Sequence, residues 1–223
     1  MDNYKVIEIK KSVYENNDKK AELVRSKLKD DGVFLLNLMS SPGSGKTTTV
    51  MGTIDALKTQ FNMAVLEADL DSAVDAETVS KSGVKVIQLH TGGMCHLDAG
   101  MTSQGIEAIG LDGIDLAILE NVGNLICPAE FDTGASKSAM ILSVPEGDDK
   151  PLKYPTMFTK VDVLIINKMD AAEFFNFNLD AVKKYVKDLN PDVKIFPLSA
   201  KTGEGMSDWT NWLKTEVLKW KEN

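Results

Sequence analysis

Ser40-Ser-Pro-Gly-Ser-Gly-Lys-Thr47 constrains this chain more than any other segment, because it directly follows the apolar run Val33-Phe-Leu-Leu-Asn-Leu-Met39. A near-continuous apolar run reads as a strand buried on both faces. A glycine- and serine-rich loop leaving such a strand and opening a helix is the setting of a phosphate-binding loop. Gly43 and Gly45 let backbone N–H groups approach phosphate oxygens, and the positive end of the next helix favours the same charge. Lys46 would reach the β and γ phosphates, and Thr47 would offer its hydroxyl to Mg²⁺. Ser44 and Thr48 complete the candidate phosphate-loop contacts. Ser40 occupies the place of the usual first glycine.

The rest of the chain repeats the same alternation. Met63–Leu66, Val84–Leu89, Leu116–Leu119, Ala139–Val144, Val163–Ile166 and Lys194–Leu198 read as further strands. Amphipathic helical patterns separate most of them, such as Leu179, Val182, Val186 and Leu189, and the C-terminal stretch through Trp209, Trp212 and Leu213. This predicts an α/β fold, mostly parallel and doubly wound, with helices on both faces. The 223 residues suffice for one large domain of this kind and a small appendage. The appendage is residues 1–32, a lysine-rich helical extension ending at Asp31-Gly32, and the nucleotide-binding domain is 33–223. Pro145 to Pro155 is polar and reads as a loop.

Asn167-Lys-Met-Asp170 follows a buried strand and matches the Asn-Lys-x-Asp guanine motif. Its carboxylate can accept two hydrogen bonds from guanine N1 and the 2-amino group. Adenine has no such donor pair, so a buried Asp170 would be left unpaired by ATP. Ser199-Ala200-Lys201 resembles the second guanine loop, where a backbone N–H meets the base O6. Together these predict GTP and GDP as ligands. Glu120-Asn-Val-Gly123 fills the slot of the switch motif, with Glu120 facing Mg²⁺ and the Gly123 N–H sensing the γ-phosphate. Asp69, Asp71 and Asp75 are further candidates for the Mg²⁺ water shell or for orienting the attacking water, or for capping a helix. The catalytic set is then Lys46, Asp69, Asp75 and Glu120, with Thr47 and Glu120 on Mg²⁺. Asn124 stands where many GTPases carry a glutamine, and Arg25 is the only arginine. Missing arginine charge can cost about 10³–10⁵ in rate. Slow intrinsic hydrolysis is expected.

Thr91-Gly-Gly-Met-Cys-His-Leu-Asp98 sets a thiol beside an imidazole, and Cys127-Pro128 lies within the expected second switch. Cys95, His96 and Cys127 suit Ni²⁺ or Zn²⁺ and are poor ligands for Mg²⁺ or Ca²⁺. The residues alone also allow a plainer reading, cysteines buried as small hydrophobes. His90, at a strand end, is left out of the site. A net charge of −8 argues against nucleic acid and anionic membrane surfaces. No apolar run approaches a membrane span, and the start has no signal-peptide pattern, so a cytoplasmic location is expected. Two cysteines are too few for a disulfide scaffold.

The phosphate loop, the 91–98 block and Glu120-Asn-Val-Gly-Asn-Leu-Ile-Cys-Pro-Ala129 closely resemble HypB, the GTPases that assist nickel insertion into [NiFe] hydrogenase. Glu146-Gly-Asp-Asp-Lys-Pro-Leu-Lys-Tyr-Pro155, the guanine motif and Ala200-Lys-Thr-Gly-Glu-Gly-Met206 extend the resemblance over essentially the whole chain. It implies a SIMIBI-type P-loop fold and a cytoplasmic metallochaperone that forms a nucleotide-dependent homodimer. It also implies exchange with a HypA-like nickel chaperone and delivery to the hydrogenase large-subunit precursor. Cys95, His96 and Cys127 match the family's metal positions. Some members carry an N-terminal Cys-x-x-Cys-Gly-Cys site or a histidine-rich tract, and Met1 to Gly32 hold neither cysteine nor histidine. Rival readings are an accessory GTPase for urease or cobalamin enzymes, or a GTP-gated interaction module with a structural zinc. The urease type is expected to carry Cys-Pro-His, where this chain has Cys127-Pro-Ala129.

Overall fold

The computed structural model describes residues 9–69 and 74–222, with side chains over 14–68 and 76–222. In chain order the elements are α1 (Ile9–Asp30), β1 (Phe34–Ser40), α2 (Lys46–Leu57), β2 (Met63–Asp69), α3 (Val74–Ser80), β3 (Lys85–His90), α4 (Ala99–Ile109) and β4 (Leu116–Glu120). There follow β5 (Lys137–Ser143), α5 (Lys150–Lys153), α6 (Pro155–Lys160), β6 (Val163–Asn167), α7 (Leu179–Leu189), β7 (Lys194–Pro197) and α8 (Met206–Glu222). The strands form one sheet in the order β3-β2-β4-β1-β5-β6-β7, and every pairing is parallel. A parallel neighbour needs a crossover, so helices cover both faces and both faces must be apolar.

β1 shows how the layers divide. Phe34, Leu36 and Leu38 pack with Val50, Ile54 and Leu57 of α2 and with Trp209 and Leu213 of α8. Leu35 faces the other side, with Val24 and Leu28 of α1 and Ile106 of α4. Beyond β1, Met140 and Leu142 meet Met157 and Phe158 of α6 and Val182 and Val186 of α7. Trp209 is nearly wholly buried and donates its Nε1–H to Thr53 Oγ1 at 2.9 Å, which satisfies its one polar atom.

α1 stops at Asp30, and Gly32 takes the left-handed conformation that ends helices, with φ 68°. The segment from Pro145 to Pro155, expected as a loop, instead holds a 3-10 turn (Val144–Glu146), α5 and the start of α6. Its prolines sit in the first turns of these short helices, where the missing N–H has no partner to lose. No helix among the described residues is long and apolar enough to cross a membrane.

Candidate nucleotide and metal site

The sheet delivers its functional residues to the carboxyl ends of the strands, where open α/β sheets bind ligands. The phosphate loop leaves β1, Glu120 ends β4, Asn167 ends β6 and Ser199 follows β7. Gly45 precedes α2 with φ 91°, and a Cβ there would meet Asn167 Nδ2 at 2.5 Å. Only glycine suits that position on both counts. Asn167 Nδ2 donates to the Ser44 carbonyl at 2.9 Å, while its Oδ1 accepts from Lys168 N at 2.8 Å and Ala200 N at 3.0 Å. Lys168, itself left-handed, donates Nζ to the Gly43 carbonyl at 2.7 Å. One asparagine and one lysine therefore stitch both guanine-motif segments to the phosphate loop.

The expectation of a buried Asp170 is not met, since its side chain is exposed. It stands on a 3-10 turn (Met169–Ala171) that follows β6, so its burial depends on what covers it. Ser199 is fully buried and its Oγ accepts from Thr202 N at 3.2 Å, which shapes the loop carrying Ala200 and exposed Lys201. Thr48 is exposed.

Glu120 is fully buried beside the phosphate loop. Its Oε1 accepts from Thr47 Oγ1 at 3.1 Å and lies 3.5 Å from Lys46 Nζ, and its buried Oε2 has no hydrogen-bond partner. Ser44 Oγ is likewise buried and unpaired. Glu67, buried on β2, sits at the same register as Glu120. Two buried carboxylates at neighbouring strand positions, with a threonine hydroxyl at hand, match the all-oxygen preference of Mg²⁺. The buried Glu120 Oε2, without a hydrogen-bond partner, is costly to leave so. In the sequence Glu67 shows only as an acid inside the apolar run Met63–Ala68. Asp69 ends β2 and Asp75 lies in α3, but their side chains, like all of Asp71, fall outside the described residues.

Gly123 packs on the phosphate loop, where a Cβ would come within 3.1 Å of Pro42 N. A side chain there would crowd the Pro42 backbone, and the close approach places the switch against the loop that would hold phosphate. Its neighbours are tied elsewhere. Asn121, fully buried, donates Nδ2 to Asn37 Oδ1 at 3.1 Å, and its Oδ1 accepts from Leu97 N at 3.1 Å. Asn124 donates Nδ2 to the Cys95 carbonyl at 3.3 Å and accepts from Ile126 N at 2.9 Å. Asn124 is thus committed to the Cys95 loop and not to the phosphate loop. The signal for Asn37 was again a polar residue inside an apolar strand.

Cys95, His96 and Cys127 converge, with their ligand atoms all within 4.8 Å of one another. The two sulfurs are 3.0 Å apart and share a hydrogen bond, and Cys95 Sγ lies 3.9 Å from His96 Nδ1. Both cysteines are free, and Cys95 is exposed, which removes the reading of them as buried hydrophobes. His96 stacks on Phe131 with ring centroids 4.0 Å apart, and its buried Nε2 has no partner. Burial lowers the His96 pKa against the raising pull of Asp98 and Glu130, so the imidazole favours its neutral, metal-binding form. The hydrogen bond with Cys95, together with burial, pushes the Cys127 thiol up. A soft metal must therefore displace a thiol proton on binding. Exposed Met94 and Ile126 flank the cysteines.

α1 closes this site from behind. Asn17 donates Nδ2 to the Asp132 carbonyl at 2.8 Å and accepts from Ala99 N at 3.0 Å, holding the segments after both cysteines. Arg25 Nη2 donates to both carboxylate oxygens of Asp132, at 2.7 and 2.8 Å, and Nε donates to the Ala135 carbonyl at 3.2 Å.

The chain has relatives among known proteins. Residues 34–197 match the family described as CobW/HypB/UreG, nucleotide-binding domain. The chain is 42% identical over 213 residues to the hydrogenase maturation factor HypB of Azotobacter chroococcum mcd 1, covering 95% of this chain and 70% of that protein. It is 41% identical over 213 residues to the hydrogenase/urease maturation factor HypB of Helicobacter pylori strain 26695, covering 94% and 87%. Among solved structures, Helicobacter pylori HypB in complex with nickel superposes with a TM-score of 0.87 at 41% identity, covering 92% of this chain and 96% of that one. The signal recognition particle receptor FtsY of Elizabethkingia anophelis, at 14% identity and a TM-score of 0.53, shares the fold alone.

Proposed function

Since this chain belongs to the CobW/HypB/UreG family, with HypB maturation factors among its relatives, we propose that it is a GTP-hydrolysing metallochaperone that binds nickel and assists its insertion into [NiFe] hydrogenase. One observation carries the reading. The segment that packs Gly123 on the phosphate loop continues into Cys127, which meets Cys95 and His96 in a soft-ligand cluster. Nucleotide and metal therefore act on one stretch of chain.

Lys46, Thr47 and the backbone of Gly43 to Thr48 hold the phosphates, and Asn167, Lys168, Asp170, Ser199, Ala200 and Lys201 form the guanine site. The Asp170 carboxylate becomes buried when the base covers it. Thr47 and Glu120 would hold Mg²⁺, which would supply neutralisation of charge on the phosphates. Lys46 and Glu120, with Asp69 and Asp75 at the Mg²⁺ water shell, complete the catalytic set. Intrinsic turnover is slow, because the one arginine is engaged on α1 by Asp132 rather than aimed at the phosphates. Cys95, His96 and Cys127 carry the transported Ni²⁺, with Zn²⁺ as the competing occupant of the same donor set. Three ligands leave a coordination position open, which a second copy in a nucleotide-dependent homodimer, a HypA-like chaperone or the hydrogenase large-subunit precursor can approach through exposed Cys95. The protein works in the cytoplasm, as a residues 33–223 GTPase domain with a helical extension over 1–32. A urease-type partner is the second reading, favoured by the Helicobacter pylori relative described as a hydrogenase/urease maturation factor.

The γ-phosphate draws in the Gly123 N–H, the switch shifts, and Cys127 moves relative to Cys95-His96. By linkage, metal changes nucleotide affinity by the same factor as nucleotide changes metal affinity, typically about 5–150-fold. The test is a Ni²⁺ titration of purified protein without nucleotide, with GDP and with a non-hydrolysable GTP analogue, followed by thiolate-to-nickel absorption. Stoichiometric binding that shifts with nucleotide and disappears in Cys127→Ala is the expected result. Binding indifferent to nucleotide would sink the gated carrier.

A further inference from the structure

Gly123 lies between two asparagines whose side chains grip the same tripeptide from opposite ends. Asn121 Oδ1 accepts from Leu97 N at 3.1 Å, and Asn124 Nδ2 donates to the Cys95 carbonyl at 3.3 Å. His96 is the residue between. The two grips differ in strength and in freedom. Asn121 is fully buried and anchored to the central strand through Asn37 Oδ1 at 3.1 Å, so this end cannot move without opening a buried polar network. Asn124 is partly exposed, and its Cys95 bond is long, whereas its bond from Ile126 N, one residue before Cys127, is 2.9 Å. Asn124 thus fixes the Cys95 loop to the Cys127 loop while standing next to the glycine that rests on Pro42.

We propose that Asn121 and Asn124 are the positioning residues through which the nucleotide acts on the metal ligands, Asn121 as the fixed pivot and Asn124 as the link that breaks. The inference rests on the gated-carrier reading above and names its moving part. When Gly123 is drawn toward a γ-phosphate, Asn124 is carried with it and releases the Cys95 carbonyl. Leu97 stays on Asn121, so the Cys95-His96 segment swings about a held end and the two thiols part. When the phosphate leaves, the bond to Cys95 re-forms and restores the 3.0 Å approach of the sulfurs. Neither asparagine needs to touch metal or nucleotide for this.

The experiment compares wild type, Asn124→Ala and Asn124→Asp, the last keeping an acceptor for Ile126 N while removing the donor to Cys95. Two quantities are read with GDP and with a non-hydrolysable GTP analogue: the rate at which the metal-free thiols react with 5,5′-dithiobis(2-nitrobenzoate), and the Ni²⁺ dissociation constant. In wild type both should differ between nucleotides, the Ni²⁺ constant by about 5–150-fold. In both variants the ratio should fall to within about twofold of unity, and Ni²⁺ should no longer alter affinity for the GTP analogue. Variants that keep the wild-type ratio would overturn the link and leave the gated carrier standing. A wild type with no ratio in either readout would overturn the carrier reading and the link with it.

Discussion

Several functional positions here are fixed by one side chain meeting one backbone group. Asn167 is the strongest case, since it satisfies the Ser44 carbonyl and the Lys168 and Ala200 amides at once. Gly45→Ala would drive a Cβ to 2.5 Å from Asn167 Nδ2 at a φ of 91°. Backbone strain of this kind costs about 1–3 kcal/mol, and the guanine loop would come loose with it. The expected outcome is loss of GTP binding together with a lower melting temperature, read by nucleotide titration and thermal denaturation. Asp170→Asn should act differently, leaving the fold intact because the side chain is exposed. Replacing a double acceptor by an amide should weaken GTP by at least about 100-fold and turn preference toward xanthosine triphosphate, whose ring offers an acceptor at position 2. Competition binding with both nucleotides would measure it, and unchanged preference would remove Asp170 from the base site. These residues were legible because motif and strand end coincide. Asn37, Glu67 and Asn121 were visible as polar residues in or beside apolar strands, but their partners lie far away in sequence.

Among the elements, α1 and α8 lie on opposite faces of the sheet and are fastened by charged pairs. Arg25 holds α1 to the segment after Cys127 through Asp132 and the Ala135 carbonyl. Partly exposed pairs are worth little, so Arg25→Ala should cost only about 1 kcal/mol. That corresponds to roughly 2–4 °C in a chain of this size. A Tm drop much beyond that would show that α1 carries more of the stability than its contacts suggest. At the far end, Lys221 of α8 pairs with Asp115, which also accepts from Asn62 N at 2.8 Å. Burial alone would raise the Asp115 pKa, but the Lys221 hydrogen bond, the Asn62 amide and the lysine charge outweigh it and hold the pKa below 3.8. Its stabilisation is therefore present above the unfolded value and lost as pH falls through the lowered folded value. Asp115→Asn should melt below wild type at neutral pH, with the gap closing as the pH drops below 3.8. A gap that is constant with pH would show that shape, not charge, is what Asn62 and Lys221 recognise. The strand positions were readable from their apolar runs. The short helices after Ser143 were not, because proline-rich polar sequence suits a loop and a first helical turn equally.

The whole molecule is one parallel sheet that gathers the phosphate loop, the buried acids and the soft-ligand cluster along its carboxyl edge. Any ligand that binds only the folded state stabilises all of it, by about 2.7 kcal/mol at a concentration 100 times its dissociation constant. GTP with Mg²⁺ should therefore raise the melting temperature, and chelating Mg²⁺ should remove most of the rise. In Glu120→Gln the Mg²⁺-dependent part should disappear while a Mg²⁺-independent part persists. Equal Mg²⁺ dependence in wild type and variant would move the metal away from Glu120. The sequence by itself determined the strand-helix alternation, the guanine preference and the soft chemistry of Cys95, His96 and Cys127, since each depends on local pattern or residue type. Only the tertiary structure decided that the Cys95 and Cys127 sulfurs stand 3.0 Å apart, that Asn124 faces the cysteine loop rather than the phosphates, and that Glu67 stands beside Glu120. Strand order and long-range pairing create those contacts, and neither leaves a trace in the spacing of residues along the chain.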